Sequence, residues 1–248
     1  MYKRQTGETT SYGVVLAPRF VEGLVFSVDY LKIDITDAIL SVSSQNIVDK
    51  CYDSPTLANQ FCSLISRNDD PMSAQSGGID FLRQVLLNFG SAIYEGYDYN
   101  ARYDFYAFDT AMSASVTWSQ VDQILEIPQE GPQDNELGEM RRPKESAQFS
   151  LSGIRGPFGL EYSGMYLGKQ TLNYEAGTEI ETVMANFGPS AFTDEIIIHN
   201  LRGSYAGDGY SIFGGVNNLT DESPYASELA YPVSPVGRYF YLGATLSL

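Results

Sequence analysis

The chain has no run of about 18 apolar residues, so no helix of it is expected to cross a bilayer. Basic residues are scarce, 15 against 31 acidic ones, and a formal net charge of −16 excludes nucleic acid, whose phosphates it would repel. Histidine occurs once, as His199, within Ile196-Ile197-Ile198-His199-Asn200-Leu201. A Ser-His-Asp or Cys-His centre would have to use it, and no G-x-S-x-G or equivalent nucleophile accompanies it, so an enzyme is not expected. Cysteine occurs twice, as Cys51 and Cys62, with no CxxC and no cluster of further ligands, which removes a metal or redox centre and leaves a disulfide as the expectation. No cofactor and no metal site are expected. The opening Met1-Tyr2-Lys3-Arg4-Gln5 lacks an apolar core of the kind that a secretory leader requires.

What is abundant is tyrosine, 18 residues, and glycine, 23, in 248, with a mean hydropathy of only −0.18. These residues fall into period-two patterns. Tyr97, Tyr99, Ala101, Tyr103 and Phe105 share one face of a strand, and Asp98, Asn100, Arg102 and Asp104 the other. Met112, Ala114, Val116 and Trp118 oppose Ser113, Ser115, Thr117 and Ser119; Ala147, Phe149 and Leu151 oppose Gln148, Ser150 and Ser152. Tyr210, Ile212, Gly214 and Val216 continue the series. Leu24, Phe26, Val28 and Tyr30 begin another strand, after which Leu31, Ile33 and Ile35 take the apolar role against Lys32, Asp34 and Thr36; that slip predicts a bulge, or a strand leaving the apolar layer.

The connections decide between a soluble sandwich and a membrane barrel. Segments 18–23, 106–109, 155–159 and 206–209 are short, and 41–95, 127–145, 172–193 and 219–236 are long, in strict alternation. A barrel puts every second connection on one rim, so the tight turns are expected at the periplasmic rim and the long loops outside the cell. The expected fold is all-β, an antiparallel transmembrane β-barrel of about nine strands, embedded in outer-membrane lipid of a Gram-negative bacterium. Its last strand runs inward.

The pieces Gly13-Val14-Val15-Leu16-Ala17-Pro18-Arg19-Phe20, Val28-Asp29-Tyr30 to Asp37-Ala38-Ile39, Gly96-Tyr97-Asp98, Gly215 to Asp221 and Gly237-Arg238-Tyr239-Phe240 stand in an order that resembles the C-terminal part of TonB-dependent receptors. The resemblance implies that residues 1–248 are the last part of a 22-stranded, plugged barrel, with the plug domain lying outside this chain. It implies active uptake of a scarce solute, a siderophore, haem, cobalamin or an oligosaccharide, driven by the TonB energy-transducing complex through the missing N-terminal part. It also implies a terminal signal for the barrel-assembly machinery in Tyr239, Phe240, Leu242, Leu246 and Leu248, with Leu248 where members of the family carry an aromatic residue. A passive porin or adhesin is the alternative. Tyr2-Lys3-Arg4-Gln5 matches a translated transposase sequencing adapter behind a GTG start, so residues 1–5 are expected to be foreign to the natural protein.

Within the longest loop, a Cys51–Cys62 bond would face an oxidising exterior, and the paired spacing resembles loops of many such receptors. Exposed aromatics and one cation in the loops, Tyr52, Phe61, Arg67, Tyr174, Phe187 and Tyr225, are the expected ligand contacts, because rings stack on sugars and chelates. His199 is expected to be interfacial or packed under a loop. Gly207-Asp208-Gly209 reads as a tight hairpin, Asn217-Asn218 as a strand end with left-handed backbone, and 79–89 as an extended hairpin in the loop.

Overall fold

The computed structural model describes residues 4–88, 90–128, 133–172, 178–225 and 232–246. The chain divides into two compact units, one of residues 1–8, 34–92 and 126–133, the other of 9–33, 93–125 and 134–248.

The second unit is built on an antiparallel sheet. Its strands follow the chain in the order β1 (Thr6–Leu16), β2 (Leu24–Thr36), β7 (Gly90–Ala107), β8 (Thr110–Pro128), β10 (Glu145–Arg155), β11 (Phe158–Leu167), β12 (Ile196–Ala206), β13 (Tyr210–Asn217) and β14 (Tyr239–Leu246), with β9 (Asp134–Asn135) pairing β8 to the side. The path is open, β1 at one end and β14 at the other. Nine strands on one path agree with the count read from the alternation.

Register turns that alternation into two surfaces. Ser150 stands opposite Ser115 and Ser163, while Leu151 stands opposite Ala114 and Tyr162. The polar face is laced by side chains: Ser115 Oγ and Ser150 Oγ are 2.8 Å apart, Thr117 Oγ1 donates to Asn100 Oδ1 at 2.8 Å, and Ser119 donates to Asp98. The apolar face carries rings at two levels. Trp118 stacks on Tyr166 at 5.5 Å towards the long loops, and Phe158 meets Tyr205 at 5.2 Å beside the tight turns. Large side chains that a soluble protein would bury, such as Leu242 at 83% and Phe240 at 74% exposure, stand open. This inverts the usual division into apolar core and polar surface, as expected where lipid replaces water on one face.

Of the two readings of the slip in β2, a bulge and a strand leaving the apolar layer, only the bulge is corrected. Tyr30 Oη donates to Glu95 Oε1 at 2.9 Å and Lys32 Nζ lies 3.5 Å from Glu95 Oε2, so residues 30 and 32 share a face and the period continues. Lys32 marks the end of the apolar stretch on that face.

Tight turns follow their residues. Phe108 (φ 52°) and Asp109 (φ 57°) form a two-residue turn of left-handed backbone, which fits the right-handed twist of the flanking strands. Gly209 has φ 73° and Gly207 N–H donates to Tyr210 O at 2.8 Å, the predicted hairpin. Asn218 is left-handed at φ 54°, whereas Asn217 remains in β13.

The first unit holds most of the longest loop. β3 (Ile39–Ser41) pairs β6 (Leu86–Asn88), and β4 (Ile65–Arg67) pairs β5 (Ile79–Leu82). Helix α1 (Ser44–Tyr52) starts at Ser43, whose Oγ accepts the Asn46 N–H at 3.2 Å. Val42 and Ile47 are buried at its centre, with Phe61, Leu64, Ile65, Leu82 and Leu87 packed around them. Segment 79–88 is therefore extended, as expected, but it is not a hairpin on itself. Both its strands pair with earlier segments, which brings Leu82 and Leu87 together onto Ile47; Phe89 lies outside the described residues.

Candidate functional site at the mouth of the sheet

Between β11 and β12 the chain runs through helix α2 (Ile180–Phe187) and a 3-10 turn, Gly188–Ala191. On β11 and β12, Met165, Leu167, Ile196 and Ile198 stand on the same face as Ser163 and Asn200, the polar one, but at its loop end. There Val233 and Tyr225, from the connection after β13, pack onto Leu167 and Ile196. Tyr225 Oη donates to Asp194 O at 3.1 Å, which fixes the ring over the strand ends. Asn218 holds the same connection: its Oδ1 accepts Glu222 N–H and its Nδ2 donates to Glu222 O, both at 2.8 Å. A short turn on the other side is bound by Met140 N–H to Thr171 O at 2.8 Å and Leu172 N–H to Ala191 O at 2.8 Å. Arg142 anchors that turn by pairing with Glu136 at 3.1 Å and Glu139 at 3.9 Å. Burial pushes the nearby Asp134 carboxyl above its ordinary range, and the Arg142 charge opposes that rise.

These segments enclose a cleft of about 560 Å³, with Phe192, Leu172 and Tyr225 as apolar wall and Asp194, Glu195 and Glu222 as ionisable groups. Among the described residues neither lysine, arginine nor histidine lines it. Lys169 reaches Asp194 from outside at 3.8 Å, and both side chains are exposed, so this pair screens little. The cleft can accept hydrogen bonds and attract positive charge, and it repels anions.

The structure brings the sequence-predicted residues together only in part. Tyr225 lines the cleft. Phe187 is exposed at the end of α2, and Tyr174 lies outside the described residues. In the first unit the Arg67 guanidinium sits 5.3 Å from the Tyr52 ring centre, and Phe61 packs on the Val42–Ile47 cluster. Cys51 and Cys62 are joined in a disulfide, Cα atoms 4.7 Å apart, tying α1 to the turn at Cys62–Leu64. His199 stands on the apolar face, its Nδ1 2.7 Å from Tyr162 Oη and its ring stacked on the Tyr162 ring at 5.9 Å. Phe240, Leu242 and Leu246 are opposite Val216, Gly214 and Tyr210 on that face, and Tyr239 is opposite Asn217 on the other; Leu248 lies outside the described residues. Sequence reasoning missed Phe192, Asp194, Glu195 and Glu222. The one available signal was Phe192-Thr193-Asp194-Glu195 immediately before a strand.

The family model described as "TonB dependent receptor-like, beta-barrel" matches residues 2–219. Solved structures with the same fold include the ferric enterobactin receptor PfeA of Pseudomonas aeruginosa, at TM-score 0.65 and 16% identity, over 100% of this chain and 32% of that one. The FrpB iron transporter from Neisseria meningitidis aligns at TM-score 0.54 and 14% identity over 98% of this chain and 31% of its own. The copper transporter OprC aligns at 0.53 and 14% over 100% and 32%. This chain thus spans about a third of the length of those structures. No curated protein sequence matches it. The matched family and structures are receptors and transporters, which is consistent with a protein that is not an enzyme.

Proposed function

Because the chain belongs to the TonB-dependent receptor β-barrel family of the outer membrane, we propose that it is the C-terminal part of a receptor that takes up a scarce solute, with the TonB complex supplying the energy through an N-terminal part. The single observation that carries this is the cleft on the polar face at the loop end of β11 and β12. A strand face that would line a lumen there acquires a shaped, partly apolar mouth, where a water-filled pore would need only polar walls. Its carboxylates favour a solute without net negative charge, one whose hydroxyls or amines Asp194, Glu195 and Glu222 can accept and whose apolar faces Tyr225 and Phe192 can cover. Tyr52, Arg67, Phe187 and Tyr174 are proposed as further contacts from the outer loops. The long connections are proposed to be extracellular, in keeping with a disulfide in the longest of them.

The test is uptake by the complete receptor in cells with and without a working TonB complex. Uptake that is lost without TonB, and reduced about tenfold or more in affinity by Tyr225→Ala, supports the reading. Diffusive uptake indifferent to TonB would establish the passive porin instead.

A further inference from the structure

On the apolar face, beside the tight turns, lies a second concavity, a groove of about 570 Å³ on strands β8, β10 and β11. It follows from register. Met112, Gly153 and Leu160 lie in one cross-strand row, so two long side chains stand on either side of a position that has none. Leu151 and Phe158 extend the walls along the strands, and Gly153 forms the floor together with the Thr110 methyl, which lies 3.1 Å from where a Cβ on Gly153 would stand. Two residues beyond Gly153, on the same face of β10, Arg155 closes the end of the groove nearest the turn.

An arginine on this face has to reach water or headgroups with its charge while its stem lies along apolar surface. Its protein partner is Asp109, at 3.5 Å, and both side chains are largely exposed, 66% and 81%. A pair of that kind contributes little, and a phosphate presents the guanidinium with a better-matched, charge-assisted partner. Groove and cation are thus set as the two ends of an amphiphile, acyl chain along Gly153 and anionic headgroup at Arg155.

We propose that this groove is a binding site for one anionic phospholipid of the periplasmic leaflet, with its phosphate on Arg155. The proposal rests on the orientation given above, in which the tight turns face the periplasm. Charge complementarity selects an anionic over a zwitterionic headgroup, and the row Met112–Gly153–Leu160 selects the place. In the two rows towards the loops, Leu151 stands between Ala114 and Tyr162 and Phe149 beside Val116, so side chains fill the middle strand there.

The experiment uses the complete receptor, extracted in mild detergent, stripped of lipid and titrated separately with dioleoyl phosphatidylglycerol, dioleoyl phosphatidylcholine and lipid A. Native mass spectrometry counts the molecules retained. One phosphatidylglycerol should be held at a concentration about tenfold below that needed for phosphatidylcholine. Arg155→Gln should erase that difference. Gly153→Leu and Leu160→Trp, which fill the floor and one wall, should abolish retention while the heat-modifiable migration of a closed barrel is preserved. Equal retention of the two phospholipids by the unaltered receptor would overturn the proposal, as would unchanged retention in Leu160→Trp, a variant whose altered side chain faces lipid and leaves the backbone register alone. Preferential retention of lipid A that Arg155→Gln also removes would overturn the choice of a periplasmic-leaflet phospholipid while leaving groove and cation as the site, and so separates a wrong lipid from a failed site.

Discussion

Leu151 and Ser150 are neighbours in sequence with opposite environments. Leu151 faces Ala114 and Tyr162, and the Ser150 hydroxyl lies 2.8 Å from that of Ser115. Leu151→Arg should cost about 2–4 kcal/mol in the complete barrel near the bilayer midplane. Ser150→Arg should cost far less, because the polar face hydrates the charge. Denaturant unfolding of both variants in lipid vesicles measures the difference, and equal costs would reject the assignment of faces. This pairing was legible in the sequence because period two is local. Tyr30 and Lys32 show the limit of a local pattern: polarity at Lys32 fits a bulge as well as the end of an apolar stretch, and it is Glu95, 63 positions further along, that holds both residues on one side. Tyr225 was legible as an exposed loop aromatic but not as part of a wall, since Leu167 and Ile196, which seat it, belong to other elements.

At the scale of elements, the loop unit carries its own small core. Ile47, on α1, is fully buried against side chains of strands β4 to β6, and Ile47→Ala should cost about 2–4 kcal/mol there. The consequence should be confined to that unit: hydrogen exchange should speed up at the amides of β3 to β6 while β10 to β13 keep their protection, since exchange follows local unfolding. The disulfide supports the same unit. It closes a loop of sequence separation 11, and Cys62→Ser should remove roughly 3 kcal/mol of stabilisation on the chain-entropy account. In intact cells, a maleimide should label the pair only after reduction; labelling without reductant would show the bond open and the staple absent. The bond itself could be expected from two cysteines and nothing else to pair with. The partners of β5 and β6 could not, because Leu82 and Leu87 are recruited by Val42 and Ile47 through contacts some forty residues apart.

At the scale of the molecule, β1 and β14 end an open path, and their backbone groups on the free side need partners that lipid does not supply. The chain expressed by itself should aggregate, or persist in detergent without heat-modifiable migration on a gel. A monodisperse, heat-modifiable, ion-conducting species made of these residues alone would instead identify a complete small porin. The architecture at this scale was the most legible part, because the alternation of four short and four long connections is a property of order along the chain and needs no tertiary information.

That strict order has a genetic corollary. Each strand on the path binds the next path strand along the chain, the elements between them lying in the connections, so a hairpin behaves as a unit of inheritance. Duplicating or deleting a whole hairpin in the gene would require one new antiparallel ladder at the junction, leave the other ladders with their partners, and change the circumference, which grows with strand number. Barrel width is therefore open to selection by copy number, one hairpin at a time, with new pairing demanded only at the junction.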